Sequence, residues 1–370
     1  MGLFRKRKFL IFLGRGGFCL SLFLNELSYA RQDIVPGSRY TSARAAGLGD
    51  AYISLGDDAP SGLFYNPASL GRIRKFVVEP INFSVSANSG FVKIADPNAY
   101  KVTDLSSYAP VVNQHSGQRS GMGGGLVSSL AFPGFALGVL AETHVSALGN
   151  GDNTLNYQSL YQLIPAFGSG FRFFQGIIRV GYSLQWVNQA QGNQTVSVDG
   201  DLGYNQNLKQ GSGLSHTLGL ALTLPVRYLP MFDVVVRNVM NTSYQFPSLY
   251  SFTQSSTGFP DSEPMTVDVA FSLHPRLGRG VLMNLILQER DMTNRSGIGF
   301  LFHFAAGMEL SFRDKVFLRG GWRGGYFSAG LGLKGRGAEM SLALFTENVG
   351  TSSQKQGDTS CLFQYQIRTY

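Results

Sequence analysis

The sequence has little cysteine, little charge and no long apolar run after its N-terminus, and each shortage excludes a class of protein. Its two cysteines are Cys19 and Cys361, so neither a disulfide framework nor a cysteine metal cluster is possible. No later segment approaches the roughly 20 apolar residues of a membrane helix. Charged residues make up 15% of the chain, against roughly 25% in soluble domains. A disulfide-rich secreted protein, a helical membrane protein and an ordinary soluble domain all fit poorly.

The sequence also lacks the arrangements that catalysis and metal binding require. Its five histidines show no metal-ligand spacing, and no G-x-S-x-G nucleophile motif occurs. We therefore predict a protein that is not an enzyme and that binds no metal and no cofactor. The formal net charge of +8, part of which lies in residues 1–30, is too small to indicate a nucleic-acid partner.

The N-terminus has the three parts of a secretory signal peptide. Four basic residues, Arg5 to Lys8, precede an apolar stretch that reaches Leu24 and is interrupted by Gly14-Arg15-Gly16-Gly17. Ser28-Tyr29-Ala30 then supplies a small-x-small cleavage site. The interrupted stretch is too short for a transmembrane anchor. We predict that residues 1–30 are a signal peptide and that the mature chain is exported.

From about residue 76 onward, segments of ten or so residues alternate apolar side chains with small or polar ones. The clearest is Ile298–Arg313. Its even positions are Ile298, Phe300, Phe302, Phe304, Ala306, Met308, Leu310 and Phe312. Its odd positions from 303 on are His303, Ala305, Gly307, Glu309, Ser311 and Arg313. Successive side chains on a strand point to opposite faces, so the apolar face covers the core of a soluble sandwich or faces lipid in a membrane barrel.

The number and spacing of these segments favour the barrel. Fourteen segments lie near 76–86, 120–131, 135–145, 163–174, 177–188, 214–225, 231–240, 265–274, 281–290, 298–313, 315–323, 326–335, 338–347 and 361–370. Long connections, 87–119, 146–162, 189–213 and 241–264, alternate with short ones. Outer-membrane barrels have an even number of strands, short periplasmic turns and longer external loops. We predict an all-β, fourteen-stranded antiparallel transmembrane β-barrel over residues 76–370, located in the bacterial outer membrane.

Residues 31–75 precede the first strand and do not alternate. Their apolar residues argue against a disordered periplasmic tail: Leu48, Tyr52, Leu55, Leu63, Phe64, Tyr65 and Leu70. Fourteen strands enclose a lumen wider than the eight-stranded barrels that side chains alone can fill. We predict that residues 31–75 form a hatch inside the lumen.

The motifs of this segment resemble those of a known family. Gly47-Leu48-Gly49-Asp50-Ala51-Tyr52, Asp57-Asp58-Ala59 and Asn66-Pro67-Ala68 follow one another directly before the first strand. They resemble the N-terminal hatch of the FadL-like outer-membrane transporters, which runs from a glycine-rich element through an acidic one to an Asn-Pro-Ala triplet. The stretch from Gly307 to Leu333 is similar to the PorV-type branch of that superfamily. Together these two parts cover the hatch and roughly the last quarter of the chain.

The resemblance implies a barrel plugged by its hatch that passes hydrophobic molecules, such as long-chain fatty acids or similar lipophilic nutrients, into the periplasm. It implies that the hatch carries the gating residues, which are Gly47, Gly49, Asp50, Asp57, Asp58, Asn66, Pro67 and Ala68. The acids could latch the hatch to lumen arginines or could simply form turns. The Asn-Pro-Ala triplet could likewise be a gate or a structural turn.

The strand parity supplies candidate ligand-binding residues in the lumen. They are Arg172, Arg179, Arg319 and His303. An arginine fork suits a carboxylate head group because it binds both oxygens. The alternative is that lumen charges pair across the barrel and only keep it packed.

The expected partners are a hydrophobic small molecule such as a fatty acid, outer-membrane lipid, and the barrel-assembly machinery during biogenesis. Two other functions stay open. A PorV-like outer-membrane component would bind secreted or surface proteins at the long loops 87–119 and 189–213. A general porin would need an open, strongly charged constriction, and the predicted hatch argues against it.

Overall fold

A computed structural model describes residues 39–94, 105–199, 203, 205–253, 256–295, 300–349 and 356–369. The predicted signal peptide lies outside these residues. The barrel strands are β1 Val77–Asn88, β2 Arg119–Phe132, β3 Phe135–Gly149, β4 Thr154–Phe173, β5 Ile178–Ser197, β6 Lys209–Thr223, β7 Met231–Arg237, β8 Thr266–Leu273, β9 Val281–Glu289, β10 Phe304–Phe312, β11 Val316–Arg323, β12 Tyr326–Lys334, β13 Ala338–Asn348 and β14 Gly357–Thr369.

These fourteen strands form one closed antiparallel barrel, which confirms the predicted fold. Each strand pairs with its neighbours in the sequence, and β14 pairs with β1 to close the ring. A three-residue extended segment, Arg276–Gly278, adds a short pairing beside β9. Pairing from β2 to β4 is continuous, so the glycines of β2 do not interrupt the described wall.

The alternation that defined the strands in the sequence separates the two faces of the wall. Leu137 and Val139 of β3 are 48% and 42% exposed, whereas Ala136 and Leu140 on the other face are buried. The exposed face is the apolar band that a membrane barrel presents to lipid. Among the described residues, no helix is long and apolar enough to cross a membrane.

Residues 39–72, which we call the N-terminal segment, pack against the inner face of the barrel. The segment contains helix α1 Ala43–Gly47, helix α2 Ala59–Phe64 and a 3-10 helix Pro67–Arg72. Each begins after a residue whose side chain accepts a backbone N–H, namely Ser42, Asp58 and Asn66. Apolar residues of the segment form one buried cluster with inner-face residues of β2 to β10.

Two sequence predictions about element boundaries are wrong. The strand predicted over Ile298–Arg313 begins only at Phe304, because Phe300–His303 forms a helical turn, α5. Apolar residues at every second position do not distinguish a strand from a short helix here. Strands β3, β4, β5 and β6 also extend into segments predicted to be loops. Their extensions carry polar residues because they lie beyond the apolar band.

Two helices cover the outward face of these extensions. They are α3 Ser89–Ile94 and α4 Leu105–Gln114, both within the connection between β1 and β2. Tyr108 and Val112 of α4 pack against Ala147 of β3 and Tyr157 of β4. Ala147 has the same parity as the exposed Leu137. Helices α3 and α4 therefore cover, near the external end, the same face of β3 that is open to lipid nearer to the periplasmic end.

Candidate functional site

The N-terminal segment contacts the wall through glycines. Gly49 has a positive φ of 64°, and a Cβ atom there would lie 2.7 Å from the backbone nitrogen of Trp322. A Cβ atom at Gly321 would lie 2.1 Å from the backbone nitrogen of Gly49. At Gly47 it would lie 3.0 Å from the Cα atom of Gly330. The two backbones therefore approach so closely that only glycine fits at Gly49 and Gly321.

Asp50 follows this contact and joins the segment to the external end of the barrel. Its carboxylate forms ion pairs with Arg290 and with Arg323, the latter at 3.1 Å. Arg290 also donates to the backbone oxygen of Asp50 at 3.0 Å. Asp50 and Arg290 are both buried. The structure thus places Asp50 in an ion pair with inner-face arginines.

Arg44 of α1 lies at the centre of a second charged network. It donates two hydrogen bonds to Glu309 of β10, at 2.9 and 2.8 Å, and a third to Asp57 at 2.9 Å. Burial alone would lower the pKa of the Arg44 guanidinium, but Glu309 and Asp57 raise this pKa well above its usual value. Arg319 of β11 also donates to Glu309, at 2.8 Å. The charge of Arg319 is therefore neutralised inside the protein.

The two acids that hold Arg44 differ in burial, which gives a first prediction. Glu309→Gln removes the carboxylate shared by the buried Arg319 and the half-buried Arg44 and should lower the free energy of unfolding by about 3–5 kcal/mol. Asp57→Asn removes a carboxylate whose side chain is 53% exposed, and should cost about 0–1 kcal/mol. Urea unfolding in lipid vesicles, followed by tryptophan fluorescence, measures both. Equal losses in the two variants would contradict this account of the network.

Asp58 occupies the periplasmic end of the same region. Its side chain accepts the backbone N–H of Ser61 at 2.8 Å, which caps α2, and pairs with Arg368 of β14 at 3.3 Å. Arg368 also pairs with the buried Glu79 at 2.7 Å. A cavity of about 160 Å³ lies between the N-terminal segment and the last strands. Its lining includes Arg44, Asp57, Asp58, Glu309, Lys334 and Arg368. This cavity is polar and does not suit a hydrocarbon.

The Asn-Pro-Ala triplet makes a buried turn against the wall. The side chain of Asn66 accepts the backbone N–H of Ala68 at 3.0 Å and donates to Ile53 O at 2.9 Å and to Asp233 of β7 at 3.0 Å. Pro67 begins the 3-10 helix, where its missing N–H costs nothing. A Cβ atom at Gly181 would lie 2.1 Å from the carbonyl carbon of Pro67. The triplet therefore has both a turn geometry and a close contact with β5.

Three arginines converge at the periplasmic end, beneath the 3-10 helix. Arg172 and Arg179 are direct cross-strand partners on β4 and β5, an arrangement that is destabilising for like charges. Arg72 and Arg179 both point a guanidinium nitrogen at the sulfur of Met231, at 3.1 and 3.4 Å. Arg179 is buried and Arg172 is exposed. We call these three residues the arginine cluster.

The three positive charges of this cluster outnumber the nearby carboxylate of Asp233. The other buried arginines, Arg237, Arg290 and Arg319, each form an ion pair. No carboxylate in the part of the chain that the structure describes forms one with Arg72 or Arg179. The nearby Asp233 attracts Arg72 and Arg179 electrostatically without forming an ion pair with either, and it accepts a hydrogen bond from Asn66. The cluster therefore keeps an excess of positive charge.

His303 does not join any of the other predicted lumen residues. It ends the helical turn α5, and its backbone oxygen accepts from the backbone N–H of Arg290 at 3.0 Å. His303 is buried at the external end of the barrel, whereas the arginine cluster lies at the periplasmic end. Among the described residues, no group of three or more histidine, cysteine or acidic side chains could hold a metal ion.

Sequence reasoning missed several residues that fix the N-terminal segment. Arg39 pairs with Glu263 and donates to Gln185, Ser215 and Asn238 at 3.0–3.1 Å. Arg72 and Arg290 were missed as well. Strand parity could not have found Arg39 and Arg72, because both lie outside the strands, whereas Arg290 ends the predicted segment 281–290 with the parity of Asn284 and Gln288 and could have been assigned to the lumen face.

Comparison with known proteins supports the fold. No protein-family model and no curated sequence matches the chain. The structure is similar to that of the monoaromatic hydrocarbon channel CymD, with a TM-score of 0.53, 11% identity, and coverage of 91% of this chain and 98% of that one. It is also similar to a deltaS2 mutant of the monoaromatic hydrocarbon channel TodX, with a TM-score of 0.50, 10% identity, and coverage of 89% and 99%.

At this level of identity the likeness shows the fold alone. The similarity to the PorV-type branch stays a prediction. The hydrocarbon channels belong to the FadL family of outer-membrane transporters. The chain therefore has the fold of the FadL-like outer-membrane barrels, which confirms the predicted architecture.

Proposed function

We propose that this protein passes hydrophobic small molecules across the outer membrane and that residues 31–75 are its hatch. The fold likeness to channels for monoaromatic hydrocarbons supports the class of cargo. The close packing of the N-terminal segment against the inner wall supports the hatch. Gly49 and Gly321 allow backbone contact, and ion pairs of Arg39, Arg44 and Asp50 hold the segment along the height of the barrel.

We further propose that the cargo carries an acidic group, as a long-chain fatty acid does. The observation that carries this proposal is the arginine cluster, in which the buried Arg179 lies beside Arg72 with no carboxylate in an ion pair. A fatty-acid carboxylate supplies the missing negative charge and suits two guanidinium forks. The other predicted ligand residues are less suited, since Glu309 neutralises Arg319 and His303 lies at the opposite end.

A pair of matched ligands tests the acidic group. The double variant Arg72→Gln, Arg179→Gln should reduce uptake of a labelled fatty acid into cells several-fold. Uptake of the fatty alcohol of equal chain length should stay unchanged, because it has no charge for the cluster to bind. Arg74→Gln, an exposed residue just after the 3-10 helix, is the control variant. Equal losses of uptake for the acid and the alcohol would mean that the cluster has only a structural role. Unchanged uptake of both ligands would contradict the proposal that the cluster binds the cargo.

The Asn66-Pro67-Ala68 turn gives a separate prediction about gating. An Asn66→Ala, Pro67→Ala double variant removes the cap of the 3-10 helix and the bond to Asp233, so we expect it to reduce uptake. Heat-modifiable gel mobility must show that its barrel still folds. Uptake at the level of the unmodified protein would leave the triplet as a turn only.

The second candidate function is a PorV-like platform for secreted or surface proteins. The folded external region formed by α3, α4 and the extensions of β3 and β4 favours it, because a buried cluster there presents a defined surface. Deletion of residues 89–118 distinguishes the two functions. A platform would lose its protein partners in cross-linking experiments, whereas a transporter would keep its dependence on the hatch.

A further inference from the structure

Two periplasmic turns of the barrel fold together into one surface. The turn between β6 and β7 spans residues 224–230, and the turn between β8 and β9 spans residues 274–280. The backbone N–H of His274 donates to Tyr228 O at 2.7 Å, which joins them. Within the first turn, Leu229 N–H donates to Val226 O at 3.0 Å. We call these two segments the double turn.

The double turn exposes apolar side chains that its fold does not bury. Val226 and Leu277 are each 58% exposed, and Tyr228 and Leu229 are 45% and 46% exposed. Positive φ angles of 70° at Tyr228 and 45° at Leu229 hold the turn in its shape. Exposed apolar residues at the tips of turns either contact an apolar environment or promote aggregation in water.

The same surface is strongly basic. Arg227, Arg276 and Arg279 are exposed, and neither segment of the double turn contains an acidic residue. The Cζ atom of Arg227 lies 4.7 Å from the centroid of the Tyr228 ring. Arginines beside exposed aliphatic and aromatic groups are typical of a membrane interface, where the stems contact acyl chains and the charged ends reach phosphate.

The strands above the double turn are too short to span lipid unaided. Strand β7 has 7 residues and β8 has 8, whereas a transmembrane strand needs about 9–11. Strands β4 and β5, on the other part of the wall, have 20 each. Phe232, near the periplasmic end of β7, is 47% exposed, so exposed apolar side chains continue from the lipid-facing wall into the double turn.

We propose that the double turn is a binding surface for anionic phospholipids of the periplasmic leaflet. Val226, Leu229 and Leu277 insert among the acyl chains and complete the apolar band below β7 and β8. Arg227, Arg276 and Arg279 bind lipid phosphates from the same surface. This inference depends on the barrel fold and not on the transported molecule.

The charge part of the proposal is tested with the purified full-length protein in vesicles of phosphatidylcholine and phosphatidylglycerol. Spin-labelled lipids measure the relative affinity for the two head groups. The variant Arg227→Gln, Arg276→Gln, Arg279→Gln should lose most of the preference for phosphatidylglycerol. The matched control is Lys75→Gln, Lys315→Gln, Arg336→Gln, which removes three exposed basic residues from other parts of the periplasmic end and should retain the preference.

Two results would overturn the charge part. An equal loss in the control variant would mean that the periplasmic end of the barrel attracts phosphatidylglycerol only through its overall positive charge. An unchanged preference in the first variant would exclude lipid phosphate as the partner and would leave an acidic periplasmic protein as the occupant.

The insertion is tested by spin labels in a chain that carries Cys361→Ser. A nitroxide attached at Leu277→Cys should be accessible to oxygen and protected from a water-soluble nickel complex. A nitroxide at Asp314→Cys, on the turn between β10 and β11, should show the opposite accessibility. Nickel access at position 277 equal to that at 314 would place the double turn in water and contradict the proposal.

Discussion

Deletion of residues 31–75 is expected to turn a nearly silent protein into a pore that conducts small ions across planar bilayers. The N-terminal segment contributes Leu48, Tyr52, Leu63 and Phe64 to the buried cluster with the inner wall. A barrel of fourteen strands has a lumen that its own side chains do not fill. Removing the segment therefore leaves an aqueous passage.

The charge of the emptied lumen sets a preference for anions. The deletion removes Asp50 and Asp58, which now pair with Arg323 and Arg368 of the barrel wall. Arginines on the inner wall then lack these partners. Reversal potentials in a salt gradient measure the selectivity, and heat-modifiable gel mobility confirms folding. A folded deletion variant that stays non-conducting would show that residues 31–75 do not close the lumen.

Gly321→Ala is expected to displace the N-terminal segment without removing it. The added Cβ atom would lie 2.1 Å from the backbone nitrogen of Gly49 and from the carbonyl carbon of Leu48. Backbone atoms on both sides cannot yield as a flexible side chain would, so the segment must move. We expect frequent channel openings and a loss of about 1–3 kcal/mol in the free energy of unfolding.

The neighbouring residue provides the control for this substitution. Gly320 faces the other side of β11, and a Cβ atom there would meet no atom within 4 Å. Gly320→Ala should therefore leave conductance and stability unchanged, although the chemical change is the same. Protease cleavage of the N-terminal segment gives a second measurement, which should rise only in Gly321→Ala. Similar behaviour of the two variants would mean that the backbone contact does not hold the segment closed.

The sequence predicted the existence of the barrel strands because the periodicity of a strand depends only on residues close together in the chain. Apolar residues at alternate positions identified each barrel strand, including β5, where Arg179 proved to face inward. The same rule failed at Phe300–His303, where four residues are too few to distinguish a strand from a helical turn. It also made β3, β4, β5 and β6 too short at their external ends, since polar residues replace apolar ones once a strand leaves the lipid.

The sequence alone determined an antiparallel barrel of fourteen strands. It also determined that side chains at alternate positions of each strand face lipid and the lumen. Only the tertiary structure decided which lumen arginines are neutralised by a carboxylate and which are not. Arg179 and Arg319 look alike in the sequence, but Glu309 neutralises Arg319, while Arg179 faces Arg172 and Arg72 without an ion pair. Ion pairs join residues as far apart in the sequence as Asp58 and Arg368. Such contacts depend on the closure of the ring and the path of the N-terminal segment, neither of which a local pattern contains.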